Sequence, residues 1–291
     1  MTAKALWSRR TVLGTALAGL GAATIIRPSA AADNGLLAKL RGDGVIKIGV
    51  ANNMPWSTLN PDGTLDGIAP SIVKVVVGRL GIPKVEAAVA SYGELVTGML
   101  AGRWDMIGAS LTISPERCKQ VIYADPFYRK DESQWVCYLK SEVANPPKSY
   151  TDVGARFASF GALRGGAENS YLQAAADKGM KGTMVQFPDP DLALEGVLTK
   201  RIPIFIIDEK SAHLLHAKRP TAFEIAPVDP EHPNRGSGGA FRKGDPDLHA
   251  AFVTEFRAIK KSGECAEILK KFGFEYDAKF MEISGEEACS L

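Results

Sequence analysis

Histidine and cysteine are scarce, with four of each in 291 residues. His213, His216, His232 and His249 fall outside every motif, and His213 with His216, three residues apart, makes a weak metal pair at best. Cys118, Cys137, Cys265 and Cys289 are separated by 19, 128 and 24 residues, which matches no zinc or redox spacing. No G-x-S-x-G elbow and no phosphate-binding Walker loop occurs. These absences leave no support for catalytic residues, a metal or a cofactor. Long hydrophobic runs are lacking too. The uncharged apolar stretch 12–26 is short for a membrane span, which needs about 20 residues. Neither charge dominates: 35 basic residues face 33 acidic ones, a formal +2, and no basic footprint for nucleic acid stands out. What remains is 45% hydrophobic and 23% charged, an ordinary globular composition long enough for two cores.

The N-terminus accounts for the small positive balance. SRRTVLG (8–14) places a twin arginine before the apolar stretch, and Arg27-Pro28 and SAAAD follow with small residues suited to signal cleavage. Residues 1–32 therefore read as a twin-arginine-type signal peptide, which implies export by the twin-arginine translocase to the periplasm. No cysteine lies near the cleavage site to carry a lipid. Cleavage near Ala32 removes Lys4, Arg9, Arg10 and Arg27, leaving 31 basic residues against 33 acidic ones. In an oxidising compartment four cysteines favour disulfides in one of three pairings. Cys265–Cys289 is the favoured pair, because it would pin the C-terminal tail.

One segment occurs twice. VTGMLAGRWDMIGAS (96–110) and LEGVLTKRIPIFIID (194–208) align Gly98 with Gly196, Leu100 with Leu198, Arg103 with Arg201 and Ser110 with Asp208. Each copy reads as the end of an amphipathic helix, a short basic turn and an apolar strand. One copy in each of two α/β lobes would set Ser110 and Asp208 facing each other across a cleft, because strand C-termini in such sheets face the ligand crevice.

The rest of the chain fits that plan. VIKIGVAN is a strand into a polar loop, IAPSIVKVVVGRLG a helix ended by Gly81, and KVEAAVAS a second strand. Tyr92 opens the helix of the first copy. SPERCKQV has Ser114 as N-cap and Pro115 at the first helical position. QWVCYLK reads as a strand leaving the first lobe. FASFGALRGGAENSYLQAAADKG is strand, glycine turn and helix, and TMVQFPDP is strand then turn. A chain that leaves lobe one near 141 and returns near 236 makes two crossovers, a hinge suited to closing on a ligand. The lobes are then 33–141 with 236–291, and 142–235.

IGVANNMPWS, ELVTGMLAGRWDMIGASLTISPERCKQVIYADPFY, GGAFRKGDPDL and EILKKFGF together resemble the bacterial family 3 solute-binding proteins, periplasmic receptors of polar amino-acid ABC importers. PERCKQV, the QFPDP turn and the acidic C-terminal tail with its cysteine are most similar to the ectoine/hydroxyectoine-binding subgroup. The resemblance implies a two-lobed α/β periplasmic-binding-protein fold, a type II-like clamshell with two crossover hinge strands. It implies capture of a small zwitterion, an α-amino acid or derivative, for an inner-membrane ABC permease. An ectoine receptor is the alternative. An enzyme on the same fold, of the periplasmic dehydratase kind, is the alternative from another class.

The resemblance also assigns residues. Arg117 would clamp the ligand carboxylate, with Ser110 and Thr112 helping. Gly166 and Ala167 would offer backbone N–H groups. Asp208 would hold the ammonium, and Trp56 and Tyr92 would sandwich the ligand. Asn53 stands where the ectoine subgroup has an acid, and Thr112 where it has an aromatic ring. Those two departures, with Asp208 standing where a hydroxyl is expected in ectoine binders, make the pocket look like that of an α-amino-acid receptor. Chemistry agrees at two positions: the Arg117 fork matches a carboxylate bidentately, and Asp208 ends an apolar run where a buried charge needs a partner. Glu168 could reach a ligand side chain or be a solvated first-turn acid, and the second is the favoured reading.

Overall fold

The computed structural model describes residues 35–128, 133–231 and 236–290. The twin-arginine segment and His232 lie outside the described residues. Twelve strands are described: β1 Val45–Val50, β2 Thr58–Leu59, β3 Leu65–Asp66, β4 Lys84–Val89, β5 Met106–Thr112, β6 Val121–Tyr123, β7 Gln134–Tyr138, β8 Ser159–Leu163, β9 Thr183–Phe187, β10 Ile204–Asp208, β11 Glu224–Val228 and β12 Ser237–Arg242. The helices are α1 Leu36–Asp43, α2 Ile68–Arg79, α3 Tyr92–Leu100, α4 Pro115–Cys118, α5 Tyr150–Arg156, α6 Ala167–Asp177, α7 Pro190–Leu198, α8 Glu209–Lys218, α9 Pro246–Ser262, α10 Glu264–Lys271, α11 Ala278–Met281 and α12 Gly285–Ser290.

Two five-stranded sheets result, in the orders β4-β1-β5-β12-β6 and β11-β7-β10-β8-β9. Their central strands are apolar runs because helices cover both faces. Every residue of β5 and of β10 is buried. In the first lobe, Ile46 and Ile48 pack with Val73 and Val77 of α2 and with Phe252 and Phe256 of α9. In the second, Ile204 and Ile206 pack with Tyr150 of α5 and Tyr171 of α6. A third apolar cluster joins residues of both lobes, Tyr92 and Leu95 with Leu163 and Phe205 among them, so the two lobes are closed on each other.

Both repeat copies are helix-to-strand units, α3 to β5 and α7 to β10. Ser91 and Glu94 form a capping box ahead of α3, and Asp189 caps α7 by accepting from Leu192 N–H.

The chain passes between the sheets after Tyr128 and again after Val228. The described residues flanking these passages pair with each other: Gln134 with Val228 in the second sheet, and Tyr128 with Ser237 beside the first. Gln134–Tyr138, expected to leave the first lobe, is instead hydrogen-bonded along its length to β10 and β11 of the second sheet. Its antiparallel partners lie about 70 and 90 residues downstream, and local pattern carries no record of them.

The DPFY motif ties hinge to core. The Asp125 carboxylate accepts from Arg257 Nε at 2.8 Å and Nη2 at 3.0 Å, and from Lys260 Nζ at 2.8 Å, all from α9. Burial pushes the Asp125 carboxyl upward, but the bonds from Arg257 and Lys260 outweigh it and hold the group below its usual value. Phe127 packs edge-on against Phe256, with ring centroids 5.1 Å apart.

The expected Cys265–Cys289 bridge does not form. Cys118 pairs with Cys289, and Cys137 and Cys265 are buried free thiols. Cys265 points from α10 into the first lobe's core, where burial pushes its thiol up to about 12. Cys289, on α12, packs beside α4 instead, so the disulfide fastens the C-terminal tail to the short helix that carries Arg117.

Candidate functional site

A small cavity lies between the lobes. It has room for about one water molecule, ≈10 Å³. From the first lobe come Asn53, Trp56, Tyr92, Ser110, Thr112 and Tyr128, and from the second Leu163, Gly166, Ala167, Glu168 and Asp208. Eight of the nine residues assigned from sequence therefore meet at one place. Arg117 is the ninth and does not line it.

Each group is positioned by its local chain. Trp56 sits in a tight turn in which Asn53 O accepts from Trp56 N at 2.9 Å and Ser57 O accepts from Asn53 N at 2.8 Å. Ser110 has a left-handed backbone, φ 52, and the β5–β12 register slips beside it, from Leu111↔Gly238 to Ile107↔Ala240. A bulge of this kind re-aims side chains at a strand end, and here it brings Ser110 and Thr112 into the cavity. Asp208 ends β10 and caps α8, with Oδ1 accepting from Ser211 N at 2.9 Å.

Direct bonds close the lobes. Trp56 Nε1 donates to Asp208 Oδ2 at 3.0 Å. Ser211 Oγ donates to Asn53 Oδ1 at 2.8 Å and to Met54 O at 3.0 Å. Arg117 Nη1 donates to Thr112 O at 3.0 Å within its lobe, and Nη2 to Gly165 O at 2.5 Å across the cleft. Gly93 N donates to Arg164 O at 3.1 Å. Gly165 is required at this crossing: its φ is 68, and a Cβ there would lie 2.3 Å from Gly93 N.

Several assignments change. The Arg117 fork grips two backbone carbonyls, and the residue borders an outer cavity of ≈500 Å³ with Ser114, Gly165 and Gly166. The Gly166 N–H donates to Leu163 O at 3.0 Å, which removes it from ligand duty in this arrangement. The Trp56 ring stacks on Tyr128, centroids 4.8 Å apart and 11° between planes, and tilts against Phe274 at 5.1 Å. Glu168, expected in solvent, is 2% exposed and lines the cavity, because the α6 N-terminus points at the cleft rather than outward.

Besides Leu163, Tyr128 and Glu168 are the lining residues that were not assigned to the site from the sequence. The aromatic of DPFY was the available signal for the first. For the second it was an acid two residues past a glycine turn already placed at the cleft. Burial pushes the Tyr92 phenol upward, and the nearby charges of Asp208 and Glu168 add to that, while Asn53 and Arg117 act the other way. Among the described residues, no three histidine, cysteine, aspartate or glutamate side chains come together as metal ligands.

Two α/β lobes on a double hinge, closed over a polar cavity walled by aromatic rings, define a receptor for a small solute. The sequence matches the model of the bacterial extracellular solute-binding proteins, family 3, over residues 46–275, and the chain belongs to that family. Proteins of this family deliver small solutes to ABC permeases.

A Sinorhizobium fredii (strain NBRC 101917 / NGR234) protein named Probable amino-acid ABC transporter periplasmic-binding protein y4tE is 27% identical over 87% of this chain and 86% of its own. The crystal structure of EhuB in complex with hydroxyectoine is similar at 31% identity with a TM-score of 0.76, covering 87% of this chain and 97% of that one. The ancestral amino acid-binding protein AncCDT-1, a precursor of cyclohexadienyl dehydratase, shares the fold at 24% identity with a TM-score of 0.68, covering 81% of this chain and 98% of that one.

Proposed function

We propose that this protein captures a small zwitterion, an α-amino acid or derivative, and presents it to its ABC permease without turning it over. The observation that carries this is the pairing, inside one cavity, of a buried carboxylate with ring faces: Asp208 from the second lobe, bonded to Trp56 of the first, with Tyr92 and Tyr128 beside them. A primary ammonium is a compact charge with three donors, and Asp208 can accept one directly. The ligand carboxylate lies toward the Ser110 and Thr112 hydroxyls and the α6 N-terminus, where Ala167 begins the helix. Arg117 enters this reading as a clasp between Thr112 and Gly165 that forms on closure. A ligand that touches both lobes favours the closed state, because only that state makes both sets of contacts.

Export belongs to the same proposal. Residues 1–32 act as a signal removed on passage through the twin-arginine translocase, and the mature protein works in the periplasm.

A second reading, an ectoine or hydroxyectoine receptor, is favoured by the likeness to EhuB and by Tyr128, which supplies the ring that Thr112 does not. Delocalised ring cations bind best among π faces.

The test is titration calorimetry of the mature protein against a pool of α-amino acids and against ectoine. An α-amino acid that binds tighter than ectoine, and is recovered unchanged by chromatography, supports the reading. At 100 times its Kd such a ligand raises stability by about 2.7 kcal/mol, measurable as a thermal shift. Tighter ectoine binding selects the second reading, and consumption of the solute identifies an enzyme.

A further inference from the structure

The fork of Arg117 bridges the lobes from a half-buried position. Its Nη1 donates to Thr112 O at 3.0 Å and its Nη2 to Gly165 O at 2.5 Å, beside the outer cavity of ≈500 Å³. A long side chain loses rotamer freedom when it is fixed in this way, and water competes for its donors. Such a clasp is strong only where the backbone beneath it is already in place.

That backbone has little of its own to hold it. α4 is a single helical turn, no residue of it is buried, and the bond from Arg117 N to its cap Ser114 Oγ is long, 3.4 Å. One turn of helix does not sustain itself in water.

The C-terminal tail offers a firmer base. Ser284 N donates to Glu287 Oε2 at 2.7 Å and Glu287 N to Ser284 Oγ at 3.1 Å, a reciprocal cap on α12. α12 packs so closely on β6 that a Cβ on Gly285 would lie 2.2 Å from Tyr123 O. Ahead of α12, Lys260 Nζ ties the tail to α9 by donating to Met281 O at 2.7 Å. The Tyr123 phenol in turn donates to Thr112 O at 3.1 Å, the same carbonyl that Arg117 grips. Cys289 of this anchored helix is bonded to Cys118, the neighbour of Arg117, across 171 residues. α4 thus takes from α12 and β6 the rigidity it lacks.

We propose that Cys289 is a positioning residue for closure of the lobes: through its disulfide to Cys118 it holds α4 where Arg117 bridges Thr112 and Gly165, and it makes that clasp redox-sensitive. The proposal deepens the clasp of the receptor reading above. Both cysteines are half-buried, within reach of a small reductant. A dithiol that opens the bond supplies two electrons, leaves a proton on each sulfur and departs as its own disulfide. Cys137 and Cys265 are already thiols, so reduction changes this one bond among the described residues.

The experiment follows Arg117 by nitrogen NMR of the mature protein, its guanidinium signals assigned by their loss in Arg117→Lys. Held by two carbonyls, the guanidinium rotates slowly. Reduction with dithiothreitol, and separately Cys289→Ser, should each speed that rotation at least tenfold. The Gly93 amide, which donates across the cleft to Arg164 O, should exchange with solvent at least fivefold faster, while the amides of buried β10 change less. In Arg117→Ala, reduction should leave Gly93 exchange within twofold, because the tether then has no fork to position. Reduction of the folded wild type carries the test even where Cys289→Ser folds poorly. Arg117 signals unchanged on reduction, equal acceleration at Gly93 and β10, or a Gly93 response that survives Arg117→Ala would each overturn the assignment. Calorimetry with the α-amino acids and ectoine fails or holds independently. A binder found there with no change at Arg117 removes the tether and leaves the receptor reading, and no binder with every NMR change present does the reverse.

Discussion

The two helix-to-strand units share their build and differ at their ends. In each, a helical glycine lets an aromatic ring lie against the helix: Gly98 faces Trp104, and Gly196 faces Phe187. In each, the arginine of the basic turn donates its backbone N–H to that glycine's carbonyl at 2.9 Å, and its guanidinium lies over the ring, 5.3 Å from Trp104 in the first and 5.8 Å from Phe187 in the second. The last residues then part. Ser110 bends out of β5 through a left-handed backbone, and its hydroxyl faces that of Tyr128 in the cavity. Asp208 continues β10 in ordinary extended geometry, with φ −62, and is held at both oxygens. A common scaffold thus delivers one hydroxyl and one fixed carboxylate to the same cavity. The difference between the lobes is written at the strand ends, not in the packing that supports them.

Turning the second end into the first is the strongest way to break this comparison. Asp208→Ser keeps a good N-cap for α8 but loses the buried bond from Trp56 Nε1, so stability should fall by about 1–3 kcal/mol. It removes the carboxylate that receives the ligand ammonium, and binding should weaken by roughly 2–5 kcal/mol. Calorimetry beside a thermal melt separates the two effects. Binding retained within threefold would show that Asp208 serves only as a cap.

The scaffold was far more legible in the sequence than the site. Strands β1, β5 and β10 announced themselves as apolar runs, and α4 by its Ser114 cap. These are local signals, fixed by chemistry within a few residues. The misread features all depend on distant partners. The chain order does not reveal that β7 pairs with β10 and β11, nor that α12 returns to α4 rather than to α10, which decides the disulfide. Glu168 looks like any first-turn acid until the direction of α6 is known. Nor does the sequence reveal that the Arg117 fork grips the carbonyl of Gly165, which belongs to the other lobe.

The shared packing can be tested for how equal it is. A Cβ on Gly98 would lie 2.1 Å from Trp104 Cη2, and Trp104 is held by its own bond from Nε1 to Leu95 O at 3.1 Å. The nearest atom to a Cβ on Gly196 is Phe187 Cζ at 2.9 Å. Gly98→Ala should therefore destabilise by about 1–3 kcal/mol, as overpacking does. Gly196→Ala should be close to neutral, because a small shift of Phe187 is offset by up to about 1 kcal/mol of helix propensity. Chemical denaturation of both variants checks the order, and a larger loss at Gly196 would reverse it.

The smallest effect is expected at Ser110, and it sharpens the comparison most finely. A non-glycine residue in the left-handed region carries about 1–2 kcal/mol of strain. Glycine relieves it, but it also gives the unfolded chain more freedom, worth about 0.4–1 kcal/mol. Ser110→Gly should therefore leave stability unchanged or raise it by up to about 1.6 kcal/mol. The same substitution at Asp208 meets no strain to relieve and removes both the α8 cap and the bond to Trp56, so Asp208→Gly should lower stability. Opposite signs in paired thermal melts would show that the first lobe holds a strained strand end to aim a hydroxyl, while the second aims its carboxylate without strain. If both glycine variants lose stability alike, the left-handed turn at Ser110 is held by its surroundings at no net strain, and the bulge in β5 is simply the relaxed path of the chain.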